Sequence, residues 1–146
     1  MTETMEGEKH KTDLKVCIVK VKEEYHVDQA RREAMEMAVK IGFDKSASHA
    51  IGTSVTELAT NLVFYAVNGG TIFIRSVAKE NRVGIEVVSE DFGPGIEDVK
   101  AAMQDGYSTG GGLGGGLPGI NRLMDEFEIV SNMGMGTKII TRKWKK

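Results

Sequence analysis

The chain has 146 residues, 40% apolar and 27% charged, which is the balance of one globular domain. Its 19 Lys and Arg stand against 21 Asp and Glu, so overall charge does not drive it onto nucleic acid. One cysteine, Cys17, excludes an internal disulfide and a multi-cysteine zinc site and suits a reducing, cytoplasmic setting; no apolar run is long enough for a membrane span.

Residues 1–13 are polar, lack the apolar stretch of a signal peptide and read as a disordered tail, leaving 14–146 as a single domain. Leu14–Val21 is β-branched and reads as a strand. Asp28 can cap a helix to Lys40, with Ala30, Ala34, Met37 and Ile41 on one face and Gly42 as its stop. Asp44 or Ser46 caps a longer helix reaching Val67, with Ala47, Ile51, Val55, Leu58, Leu62 and Ala66 as its apolar face. Thr71–Val77 and Val83–Ser89 read as a hairpin around the turn Ala78–Arg82. Ile96–Met103 reads as a short helix, and Pro118 suits the first turn of another that ends near Glu126. Phe127–Ser131 and Thr137–Lys143 form a second hairpin around NMGMG. Two hairpins imply a mostly antiparallel mixed sheet with helices on one face, an α/β (α+β) two-layer sandwich.

Three clusters carry candidate chemistry. Glu57 and Asn61 are four apart, so a carboxylate and a carboxamide share one helix face; together they suit a general base and a metal-ligating oxygen, or else a solvated polar stripe. Asp91-Phe-Gly-Pro-Gly95 follows a strand. Its carboxylate can accept from an exocyclic amine such as that of adenine, while Gly93 and Gly95 let a flat ring approach; it also reads as an ordinary turn. Asp91-Phe92-Gly93 spells a triplet of eukaryotic-type protein kinases, but the accompanying H-R-D and V-A-I-K strings are absent.

The third cluster is glycine-rich. Eight of the 18 glycines fall between Gly106 and Gly119, a concentration costly in conformational entropy for a mere connector. A flap of exposed amides leading into a helix N-terminus is an anion cradle. The match to G-x-G-x-x-G at Gly114, Gly116 and Gly119 comes too late in the chain for a dinucleotide fold, and no P-loop string is present. The basic run from Arg142 to Lys146 holds Trp144 and reads as a solvated end or a partner surface.

The order E-x-x-x-N, D-x-G-x-G, a lid bearing G-x-G, then Gly136-Thr137 on a late strand resembles the GHKL ATPases, which include gyrase, Hsp90, histidine kinases and MutL. The strings TELATNLVFYA, EDFGPGI, DGYSTGGGLGGGLPGINRLMDEFEI and GMGTKI resemble the anti-sigma-factor serine kinases, in particular stressosome switch kinases, over residues 14–146. The resemblance implies a Bergerat sandwich, ATP and Mg²⁺ as cofactors, and a serine/threonine-protein kinase. It implies Glu57 as general base, Asn61 as the ligand of Mg²⁺, and Asp91 as the adenine acceptor with Gly93 and Gly95 lining the base pocket. Gly110, Gly111, Gly112, Leu113, Gly114, Gly115 and Gly116 would form the ATP lid, and Thr137 would support the adenine end.

The implied acceptor is a Ser or Thr on a STAS-domain antagonist protein. The implied second partner is a PP2C-type phosphatase, activated by the released kinase in a stress-response or sigma-factor pathway. The alternative is an ATP-gated anti-sigma or regulatory binding module with little catalysis. Two features depart from the wider family. Residues 105–121 hold no Lys or Arg, so Arg122 or a partner would bring positive charge to the γ-phosphate, or Mg²⁺ and backbone amides suffice; and Tyr65 stands where histidine kinases often carry a basic residue. No dimerising helical hairpin surrounds His10, His26 or His49, so phosphorylation on histidine is not expected.

Overall fold

The computed structural model describes residues 15–93, 116–132 and 134–146; the tail 1–13, the helix expected at 96–103, Gly95 and Gly110 to Gly115 lie outside them. In chain order the elements are β1 (Val16–Val21), α1 (Glu24–Ile41), α2 (Lys45–Tyr65), β2 (Gly70–Lys79), β3 (Arg82–Asp91), α3 (Gly116–Leu123), β4 (Glu126–Asn132) and β5 (Gly136–Trp144). The five strands form one sheet in the order β1-β2-β3-β5-β4, and the sheet expected to be mostly antiparallel is antiparallel at every described pairing.

Alternation along the strands separates the two faces of the sheet. Val19 pairs with Ile72, and Ile74 with Val87, so these side chains share the helix-covered face. Above them lie Ala30, Ala34 and Ala38 of α1 and Ile51, Val55, Leu58 and Leu62 of α2, all buried. Each large aliphatic side chain removed from water in this layer contributes roughly 1.5–3 kcal/mol. The alanine stripe on α1 lets its backbone come close to the sheet and to α2.

The helix boundaries follow from where the orphaned backbone groups find partners. α1 begins before Asp28, the expected cap. His26 Nδ1 accepts from the backbone amides of Lys22 and Glu23 at 3.1 and 3.0 Å, so the imidazole does this local work; Asp28 lies inside the helix, bound to Arg31. Gly42 ends α1 at φ 110°, a left-handed conformation that only glycine adopts cheaply. Asp44 caps α2, its Oδ1 accepting from the Ala47 amide at 2.8 Å, and the helix stops at Tyr65, short of the expected Val67.

The first hairpin also differs from expectation. Lys79 pairs with Arg82, so only Glu80 and Asn81 form the turn, in place of Ala78–Arg82. Both flanking residues are exposed, so pairing them in the ladder buries no charge. α3 closes at Leu123, before Glu126, where Asp125 N–H turns to donate to the Arg142 carbonyl.

The helix-free face carries a charged row. Arg75, Glu86, Arg142 and Glu126 are successive cross-strand neighbours on β2, β3, β5 and β4. Glu86, 4% exposed, accepts from Arg75 Nε at 2.5 Å and Arg142 Nε at 2.8 Å, and Arg142 donates onward to Glu126. Burial pushes the Glu86 carboxyl up, but the two guanidiniums outweigh it and hold the group below its ordinary value. The row fixes the register of four strands and leaves the far ends of β3 and β5 to carry the site.

Candidate active site

The described candidates Asn61, Asp91 and Gly93 lie where the C-terminal half of α2 meets the end of β3. A Cβ placed on Gly70 would lie 2.7 Å from Leu62 Cδ2 and 3.2 Å from Asp91 Cβ, so the last turns of α2 and the carboxylate are near neighbours. Similarly, a Cβ on Gly93 would lie 3.4 Å from the Val67 backbone nitrogen. Asn61 precedes Leu62, and Glu57 lies one turn earlier on the helix.

Glu57 is 1% exposed, so the expectation of a solvated polar stripe does not hold at this position. The Asn61 side-chain oxygen is buried and has no hydrogen-bond partner among the described residues. An orphaned amide oxygen costs stability unless a ligand completes it. Asp91 Oδ1 accepts from the Gly93 amide at 2.8 Å, a local bond that fixes the carboxylate's orientation at the strand end.

Across the ladder from Asp91 stands Thr137, and across from Thr137 stands Ser131. The two hydroxyls are 2.9 Å apart, so three polar side chains cross three strands in one row. Ser131 was absent from the sequence-based candidates. Its signal was weak but present: it continues the alternation of Phe127 and Ile129 and sits opposite Thr137 in a hairpin. Gly136 keeps this corner closed. It adopts φ 98°, and a Cβ there would run into the Asp91 carbonyl oxygen.

Of the expected lid, only Gly116 is described. It is buried, has φ 73° and opens α3; Gly110 to Gly115, with Leu113, lie outside the described residues, as does Gly95. Arg122, a candidate for charge near a γ-phosphate, lines a groove with Asp44 and Ala47 at the opposite end of α2. From Ala47 to Asn61 the helix rises about 21 Å, so Arg122 is remote from the polar row. A cleft of about 830 Å³ borders Gly93 and Phe92, but neither Glu57 nor Asn61 lines it, so open volume alone does not outline the site.

Among the described residues no three His, Cys, Asp or Glu side chains form a metal cage. A single buried amide oxygen still fits Mg²⁺, which takes one or two protein ligands and completes its octahedron with substrate phosphates and water.

Comparison with known proteins follows the same outline. Residues 20–143 match the family described as the histidine kinase-like ATPase domain. The chain is 43% identical over 126 residues to the serine/threonine-protein kinase RsbT of Bacillus subtilis (strain 168), covering 86% of this chain and 94% of that protein. It is 37% identical over 99 residues to an anti-sigma F factor of Caldanaerobacter subterraneus subsp. tengcongensis, covering 64% of this chain and 68% of that one. The crystal structure of the RsbU and RsbW domains of Rv1364c from Mycobacterium tuberculosis has the same fold at a TM-score of 0.58 and 18% identity; the match covers 90% of this chain but only 33% of that one. The mycobacterial sensor histidine kinase MprB follows at 0.52 and 15% identity, covering 89% of this chain and 96% of that one.

Proposed function

This chain belongs to the histidine kinase-like ATPase domain family and, within it, to the anti-sigma-factor serine kinases, and from that premise we propose how its residues carry out phosphoryl transfer. The chain is an ATP-binding serine/threonine-protein kinase and a partner-switching regulator. In our reading Asp91 accepts the adenine amine, with its carboxylate already oriented by the Gly93 amide. Thr137, tied to Ser131, supports the same end of the base, and Gly93 and Gly95 line its faces.

Asn61 would hold Mg²⁺ through its side-chain amide oxygen, which has no partner among the described residues. The metal, when bound, draws negative charge off the phosphate oxygens. The backbone amides from Gly110 to Gly116 hold the terminal phosphate. Glu57 takes the proton of a serine or threonine hydroxyl as that oxygen attacks the γ-phosphorus. The bond from the γ-phosphorus to the bridging oxygen breaks, and ADP leaves. Arg122 is too distant to give charge at the γ-phosphate, so the lid amides and the partner would do so beside any bound metal.

The acceptor we propose is a STAS-domain antagonist protein. The second partner is a PP2C-type phosphatase, activated by kinase released from that antagonist in a stressosome or sigma-factor pathway. Its setting is cytoplasmic, in keeping with one free cysteine.

One observation carries this reading: Glu57 is buried one turn before Asn61, at the end of α2 that packs against Asp91. Burying a carboxylate is costly, and a helix amphipathic for packing alone would place an apolar residue there. The test is incubation with labelled ATP·Mg²⁺ and STAS proteins from the same genome. We expect label on a serine or threonine of one of them, and transfer slowed at least about a hundredfold when Glu57→Gln replaces the parent. Transfer at the parental rate by that variant would remove Glu57 from its role.

A further inference from the structure

At the far end of α2 from Asn61 lies a second groove, of about 450 Å³, which the phosphoryl-transfer reading does not use. Its floor is apolar, formed by Phe43, Ala47, Ala50 and Leu123, with Phe43 only 7% exposed. Its rim is cationic: Arg122, Lys143, Lys145 and Lys146 line it with one carboxylate, Asp44, while Lys143 also lies 4.0 Å from Asp125 Oδ1. Asp44 is occupied in capping α2, and Lys143 Nζ donates to the Leu123 carbonyl at 2.8 Å. The chain as a whole is net −2, so this local excess of positive charge runs against its average. The α2 N-terminus adds partial positive charge of its own.

Lys145 is not a loose tail residue. Its backbone amide donates to the Val83 carbonyl at 2.8 Å, and a Cβ on Gly42 would meet its side chain at 3.0 Å, so the ammonium is delivered across the α1–α2 turn. An apolar floor under a cationic rim is complementary to a polypeptide that alternates carboxylates with aliphatic side chains.

We propose that this groove docks an acidic, partly apolar segment of a partner protein. A segment seated there is about 20 Å along α2 from Asn61, so it holds the partner without covering the nucleotide end. Docking and nucleotide binding are therefore separable.

The experiment titrates the full chain with a synthetic octapeptide of glutamates and leucines by isothermal calorimetry, with ATP affinity measured in parallel. We expect saturable binding heat and an affinity that weakens as salt is raised. The double variant Lys145→Glu, Lys146→Glu should bind the peptide at least roughly tenfold more weakly, with unchanged circular dichroism and unchanged ATP affinity. The single variant Lys145→Ala should fall between the two. No saturable heat, equal binding by the double variant, or displacement of the peptide by an equal concentration of inorganic phosphate would each overturn the proposal. Loss of ATP binding by the parent chain would count against the nucleotide reading alone.

Discussion

The two ends of the sheet treat polar groups in opposite ways. Around Glu86 and Trp144 they are closed on one another: Glu86 binds two arginines, Arg142 reaches Glu126, and the Trp144 indole N–H donates to Glu126 at 2.7 Å. Around Asp91 they are held but not closed: the Asn61 oxygen lacks a partner among the described residues, and Asp91 is oriented by one backbone amide. The first end uses its polar groups for register and stability. The second keeps them available to a ligand, and the rigidity of the first supports it.

Substitutions sharpen this contrast. The largest effect belongs to Glu57→Gln, which keeps the buried shape: phosphoryl transfer should fall at least about a hundredfold while ATP affinity stays within about threefold, read by single-turnover labelling and by calorimetry. Asp91→Asn comes next, with ATP affinity weakened roughly 10- to 100-fold and thermal stability little changed, because it replaces a charged acceptor in the pocket.

Glu86→Gln should do the reverse. Two arginines lose their shared carboxylate, which costs about 2 kcal/mol and lowers Tm by roughly 5 °C, with ATP affinity unchanged. Folding also holds the Glu126 carboxyl below its ordinary value, through the Trp144 hydrogen bond and then Arg142. The contribution of both glutamates is therefore complete above the ordinary carboxylate range and is lost as pH falls through their lowered values. Urea melts at pH 7 and pH 3 should show the Glu86→Gln penalty shrinking at the lower pH. The smallest effect is at Ser131→Ala, which frees the Thr137 hydroxyl and should weaken ATP about threefold without changing turnover at saturation.

The same contrast explains what was legible in the sequence. Periodicity exposed α2 and its buried face because Ile51, Val55, Leu58 and Leu62 recur at helical spacing. The spacing of Glu57 and Asn61, and the Asp91 turn, were readable because they are local. The start of α1 was not. An imidazole accepting from two backbone amides leaves no standard capping signature, and Asp28 offered a more familiar one. The short turn at Glu80 and Asn81 was masked by charged strand ends, whose pairing depends on exposure rather than on residue type. Ser131 acquires its place only from the hairpin register with Thr137, and the remoteness of Arg122 only from the packing of α3 near the start of α2. Long-range pairing decides both, and local pattern carries little of it.

The central claim is that Asn61 completes a metal-nucleotide site at the β3 end of α2. The most direct measurement is the ATP affinity of the parent chain and of Asn61→Ala, each titrated with and without Mg²⁺. The account predicts that Mg²⁺ tightens ATP binding to the parent and has little effect on the variant, whose metal-free affinity is close to the parent's. An equal gain from Mg²⁺ in both proteins would contradict it.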